Sequence, residues 1–346
     1  MSITSVPWAC PDFGEAEKEA IRRVVDSGWM TMGKETAKLE NELAKVTGKK
    51  YNIVYNSGTS AIVASLLAIG AYHEGYTARI PSYTYKATEN AVYASGIRDI
   101  KYGIVNPSTG IMSPKMSEYK HEVQIPVHFA GLPINQQVWS ETPKVVEDAA
   151  ESFGATTSYT GDVYSDRVVC YSFHAAKVIT MIEGGCVSTD NHSLAYRLKA
   201  VRCHGEDPEH KGVFITRGLN MKPLDICSAV GRVQLSKLPK YLRNRDRISS
   251  LYRSELDGLV GFQYIPDYVK KHANMMFPIY VKKPIELGEH LAKNHIGYRL
   301  GWKPFNDSLG AKFIYEHIIC IPMYNTLTED EALYVIDKIK EKVVGE

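Results

Sequence analysis

The sequence predicts an α/β protein with a largely parallel sheet, followed by a smaller domain. Three observations carry this. Short runs of strand-like composition alternate with segments of helical periodicity through the first two-thirds of the chain. Near Leu238-Pro239 the character changes to a long charged helix and a few more strand candidates. A chain of 346 residues, 44% hydrophobic and 23% charged, is also long enough to bury two cores.

Taken in order, residues 15–25 and 36–46 place apolar side chains at helical spacing on either side of Ser27-Gly28-Trp29. A short strand, Tyr51–Tyr55, breaks at Asn56-Ser57-Gly58-Thr59-Ser60, and residues 61–69 have the small, aliphatic composition of a buried helix. Residues 78–81, 123–128, 144–147, 168–173 and 185–189 read as further strands, most with helical segments between them. A helix is expected over 241–256, strands near 262–265 and 274–281, and helices over 285–295 and 329–342. The domain boundary is placed near residue 236, dividing 1–235 from 236–346.

Composition narrows the function classes. Lys plus Arg 41 against Asp plus Glu 39 leaves a formal net charge of +2, with the basic residues dispersed, so no nucleic-acid or membrane surface is indicated. The six cysteines stand far apart without a C-x-x-C pair, which favours reduced thiols in a cytoplasmic protein over disulfides or a metal centre. No stretch approaches membrane-spanning length, and residues 1–11 lack the basic start and apolar run of an export signal.

Chemistry concentrates in two peptides. Ser172-Phe173-His174-Ala175-Ala176-Lys177 precedes Glu183-Gly184-Gly185, and Glu147-Asp148-Ala149-Ala150-Glu151 places an acid 29 residues before the lysine. Pyridoxal phosphate chemistry needs a lysine amine to hold the cofactor, a carboxylate to keep its pyridine nitrogen protonated, and hydroxyls and amides to cradle its phosphate. These peptides supply such groups if acid and lysine come off different strand ends onto opposite edges of one flat ring. The peptide 56–60 follows a strand and opens a helix, where free amides and the helix dipole attract an anion; its Ser and Thr serve equally as plain helix caps. Tyr85, in Pro81-Ser82-Tyr83-Thr84-Tyr85, offers a ring for stacking on a cofactor or for the core.

Together these residues resemble the DegT/DnrJ/EryC1/StrS family of pyridoxal-phosphate-dependent sugar aminotransferases. The likeness covers nearly the whole chain, through Asp26-Ser27-Gly28-Trp29, Ser57-Gly58-Thr59-Ser60-Ala61, Val127-His128-Phe129-Ala130-Gly131, the two peptides above, His204-Gly205, Gly218-Leu219-Asn220, Gln234-Leu235 and Ile321-Pro322-Met323. It implies a PLP-dependent transferase of fold type I: a three-layer α/β/α large domain with a mostly parallel sheet, and a smaller α+β C-terminal domain.

The resemblance also implies roles. Lys177 would form the Schiff base and shuttle the proton, and Asp148 would pair with the pyridine nitrogen. Gly58, Thr59 and Ser172 would hold the phosphate, and Tyr85 would stack on the ring. Glu151 stands near the ring hydroxyl, where relatives often carry Gln or His. Asn220 would reach the phosphate bound by the other subunit of a homodimer, and Lys222 follows where an arginine is common. Lysine at 177, where related dehydratases carry histidine, favours amino transfer from an amino-acid donor, by family habit glutamate, to a keto-sugar or other ketone acceptor, mostly nucleotide-linked among relatives. His128, His174, Arg299, Trp302 and Lys303 are candidates for substrate contacts; packing and surface roles serve them equally well. Decarboxylation or elimination on an unusual substrate, and a non-catalytic binding role, stand as alternatives at this point.

Overall fold

A computed structural model describes residues 4–73, 75–115, 121–139, 142, 144–159 and 167–344. The first three residues of the lead-in and the last two of the chain lie outside them.

The larger sheet forms because its strands bury both faces. Successive residues of one strand enter different cores: Ile53 and Tyr55 pack with the helix Gly58–Ala68, whereas Val54 between them packs with Leu39 and Leu43. Strand order is Tyr51–Tyr55, Gly185–Thr189, Val168–Ser172, Val146–Asp148, then Glu122–Gln124, Thr77–Pro81 and Asp99–Gly103. The two sets join through bridges Gln124 to Val145 and Val127 to Asp148. Only Gly185–Thr189 runs antiparallel to its neighbours. Helices Gly58–Ala68, Lys86–Ser95 and His192–Arg202 cluster on one face, and Lys34–Thr47 lies on the other with Glu15–Asp26 and a long helix, Asp225–Glu255. This is the expected three-layer arrangement.

A smaller antiparallel sheet follows, in the order Arg299–Leu300, Ile318–Ile321, Phe277–Tyr280, Gly261–Phe262. Helices Pro284–Lys293, Leu309–His317 and Glu329–Val343 accompany it; Thr328 and Glu331 cap the last through reciprocal hydrogen bonds.

Two expectations are corrected here. The helix expected from 241 begins at Asp225 and runs unbroken past position 236, through Pro239. Proline removes one helical hydrogen bond, but Leu235, Leu238, Tyr241 and Leu242 are buried on one face and hold the helix together. The strand expected over 123–128 is only Glu122–Gln124, with Pro126 unable to donate a ladder bond and Val127 contributing one isolated bridge.

Candidate active site

Parallel strands deliver their carboxyl ends to one edge of the larger sheet, the usual ligand edge of such sheets. There the chain leaves Tyr55, Pro81, Asp148 and Ser172, and a cavity of about 240 Å³ opens. Gly58, Thr59, Tyr85, Asp148 and Ser172 line it, as do Glu151, His174 and Lys177. From the smaller domain come Arg299 and Trp302.

The phosphate-type cradle rests on two glycines. Ser57 caps the helix Gly58–Ala68 by accepting a hydrogen bond from the Ser60 amide. A side chain at Gly58 would put its Cβ 2.7 Å from Ser172 Cβ, and one at Gly185 would sit 2.3 Å from the Ser57 carbonyl oxygen. Both positions must be bare for the helix start to lie against the Ser172 strand end.

Asp148 is buried. Its Oδ2 accepts from the Thr88 hydroxyl at 2.8 Å and its Oδ1 from the Ala150 amide at 3.2 Å. Burial raises its pKa above the usual carboxylate value, against the opposing pull of these hydrogen bonds and of Lys177. Lys177 lies in a turn after Ser172, its amide donating to the His174 carbonyl at 2.9 Å, and its Nζ stands 3.5 Å from Glu151 Oε1. The other Glu151 oxygen accepts from the Ala130 amide at 2.8 Å. Arg299 stacks on Trp8 at 4.4 Å, and Trp302 lies 5.5 Å from the Tyr85 ring.

Three sequence candidates fall elsewhere. His128 does not line this cavity: its ring is buried between Ser152 Oγ at 2.6 Å and Glu147 Oε2 at 3.0 Å, a network that continues to Arg167. Lys303 is exposed and outside the lining, because the chain turns Trp302 inward beside it. Asn220 is exposed and lies outside its own chain's cavity. Conversely, Thr88, Trp8, Met275 and Met276 line the cavity without having been singled out. For Thr88 a signal existed: Thr84 and Thr88 are one helical turn apart directly after the Tyr85 peptide's start.

Pyridoxal phosphate fits this donor set. Helix-start amides face a strand-end serine with no side chain between them, as a phosphate requires. A buried carboxylate without an ion-pair partner among the described residues suits a protonated pyridine nitrogen, and a lysine lines the same cavity.

Comparison with known proteins agrees. The sequence matches the DegT/DnrJ/EryC1/StrS aminotransferase family over residues 11–340. It is 27% identical to the uncharacterized protein MJ1066 of Methanocaldococcus jannaschii, over 97% of each chain. The fold superposes on the sugar aminotransferase CalS13 of Micromonospora echinospora with a TM-score of 0.87 at 22% identity, covering 97% of this chain and 100% of CalS13. NtdA of Bacillus subtilis, solved with bound cofactor PMP, gives 0.89 at 22% identity, covering 100% of this chain and 86% of NtdA. The fold is that of fold type I PLP enzymes. With its length matched almost end to end, the chain belongs to the DegT/DnrJ/EryC1/StrS aminotransferase family and is a pyridoxal-phosphate-dependent aminotransferase.

Proposed function

We propose that this enzyme moves the amino group of glutamate to the ketone carbon of a nucleotide-linked keto sugar, as a cytoplasmic homodimer with shared active sites. The observation that carries this reading is the meeting of Lys177, Asp148 and Arg299 at one cavity.

When bound, the cofactor supplies an electron-withdrawing ring. Lys177 would hold it through its side-chain amine and would serve as the base that moves the substrate's proton. Asp148 keeps the ring nitrogen protonated through a charge-assisted hydrogen bond. Glu151, 3.5 Å from Lys177 Nζ, would keep the amine in place and would stand near the ring hydroxyl. The helix start at Gly58 and Thr59, with Ser172, would bind the phosphate, and Tyr85 would cover the ring. Arg299 and Lys177 supply the lysine and arginine side chains of the lining. With Lys177 committed to chemistry, Arg299 is left to bind the carboxylate of glutamate and, in the second half-reaction, a phosphate of the acceptor. Its stack on Trp8 holds it for both. The likeness to CalS13, a sugar aminotransferase, supports a keto sugar as acceptor.

The dimer reading rests on Asn220. It sits among Phe214, Ile215, Leu219 and Leu224, all exposed in one chain, with Phe214 at 65%. Such an exposed apolar stretch suits a second copy.

The test is spectroscopic. Glutamate should convert the visible absorbance of the loaded enzyme to the amino form, and a nucleotide-linked keto sugar should restore it with formation of the amino sugar. Restoration by 2-keto acids alone, with every keto sugar inert, would overturn the acceptor.

A further inference from the structure

A charge stands where the helical pattern calls for an apolar side chain. The long helix buries Leu238, Leu242, Ile248 and Tyr252 along one stripe, and Arg245 lies within it at 2% exposure. Among the described residues it makes no ion pair. Its Nε donates to Asn325 Oδ1 at 2.8 Å, and one terminal nitrogen faces the carbonyl oxygens of Asn274, Met275 and Met323 at 2.8, 3.1 and 3.3 Å. Burial pulls its pKa down to about 9, still above neutrality, so the cation persists at pH 7. The apolar stripe alone gives no reason for it, and its donors pair four buried acceptors.

What it holds supplies the reason. We propose that Arg245 is a positioning residue for Lys177, acting from outside the cavity along two routes. In the first, Asn325 accepts from Arg245 and donates from its own side-chain amide to the Val178 carbonyl at 2.9 Å, fixing the peptide that follows Val178, one residue past Lys177. In the second, Arg245 grips the carbonyls at 274–275, where Asn274 is held at φ 46°, and the adjoining Met275 and Met276 form cavity wall. That segment runs along Ala130 and Gly131: the Ala273 amide donates to Gly131 at 3.1 Å and the Met276 amide to Ala130 at 3.4 Å. Ala130 in turn donates to Glu151, the residue beside Lys177 Nζ. One guanidinium therefore sets both the backbone that carries the lysine and the carboxylate that faces it. A fork of fixed geometry does this where a lysine's point charge does not.

The inference rests on the assignment of Lys177 as the amine that bonds the cofactor, and the experiment separates the two. Arg245→Met, Arg245→Lys, Asn325→Ala and Lys177→Ala are compared with wild type. The readouts are melting temperature without cofactor, the pH midpoint of the bound cofactor's visible absorbance, and the single-turnover rate with glutamate. Arg245→Met is expected to fold but to melt below wild type, since four buried acceptors lose this donor. Its absorbance midpoint should shift by about half a pH unit or more, and its single-turnover rate should fall by roughly 10- to 100-fold. Arg245→Lys should fail to restore either, Asn325→Ala should move both the same way, and Arg245→Met with Asn325→Ala should lose less than the sum of the two. If Arg245→Met does not fold, Asn325→Ala decides alone: a wild-type midpoint and rate overturn the proposal. If Arg245→Met folds with both values unchanged, the proposal also fails. A covalent absorbance band that survives Lys177→Ala overturns the lysine assignment and this proposal together; a band lost there and unmoved in the other variants overturns this proposal only.

Discussion

Thr88 donates its only hydroxyl proton to Asp148 Oδ2, so the 3.2 Å contact between Thr84 and Thr88 has Thr84 as donor. The order Thr84 to Thr88 to Asp148 fixes the carboxylate's plane before any ligand arrives. It does so without an ion pair to the acid among the described residues, which leaves the charge available to a pyridine nitrogen.

The first prediction concerns that charge. Without cofactor, the raised pKa of Asp148 means that its ionised form opposes folding: the penalty is absent below the unfolded value, grows as pH rises, and is complete above the folded value. Cofactor-free Asp148→Asn should therefore melt higher than cofactor-free wild type at pH 7, with the gap closing as pH falls through the carboxylate range. The same variant should slow the donor half-reaction by on the order of 100-fold or more. Scanning calorimetry across pH, beside stopped-flow absorbance, checks both; a normal half-reaction would assign the nitrogen's partner elsewhere.

A second prediction tests the cradle. Gly58→Ala introduces a Cβ 2.7 Å from Ser172 Cβ and 3.2 Å from its Cα, so the helix start must move off the strand end. Cofactor affinity is expected to fall by roughly 10- to 100-fold, about 1.4 kcal/mol per tenfold. Titration of the apoenzyme measures it. Unchanged affinity would place the phosphate away from Gly58.

Sites shared as proposed would make complementation possible. Lys177→Ala and Asn220→Ala subunits should each be inactive as homodimers. After subunit exchange, each mixed dimer carries one site with both defects and one with neither, so about a quarter of wild-type activity should return at random exchange. Confirmed exchange with no recovered activity would confine Asn220 to its own chain.

The fourth prediction concerns the network behind the cavity. Burial pushes the Glu147 carboxyl upward, but the His128 hydrogen bond and the Arg167 charge outweigh it and leave the pKa lowered. Its stability contribution is present above the unfolded carboxylate value and is lost as pH falls through the folded one. Glu147→Gln strands the Arg167 charge and should cost about 3–5 kcal/mol at neutral pH. That cost should shrink in acid, as denaturant titrations at several pH values would show.

Much of this architecture was legible from residue order alone. Strands such as Tyr51–Tyr55 and Gly185–Thr189 coincide with mostly apolar runs ended by turns, because both faces are buried, and their polar Asn52 and Ser188 pair with each other. The lysine and acid were conspicuous for the same reason: each interrupts or ends an apolar stretch. Position 239 misled, since a proline's local cost is visible in sequence and the long-range burial that offsets it is not. His128 misled similarly, because a histidine at a strand end reads alike whether its ring meets a ligand or Glu147. Thr88 and Arg245 act through partners 60 and 80 residues away in sequence, and such pairings exist only once the chain is folded.

The meeting of the two strand sets has a further consequence. Between Glu122–Gln124 and Val146–Asp148, among the described residues, a few amides stitch the sheet: Gln124 donates to Lys144, Asp148 to Pro126, and His128 to Asp148. Asp148 makes two of those stitches with its backbone while its side chain faces the cavity. The sheet is thus seamed at Asp148, and a ligand held by its carboxylate is expected to tighten the seam. Amide hydrogen exchange at Gln124, His128 and Asp148 should slow on cofactor binding more than at amides in the middle of either strand set, making occupancy of the site a mechanical reinforcement of the domain.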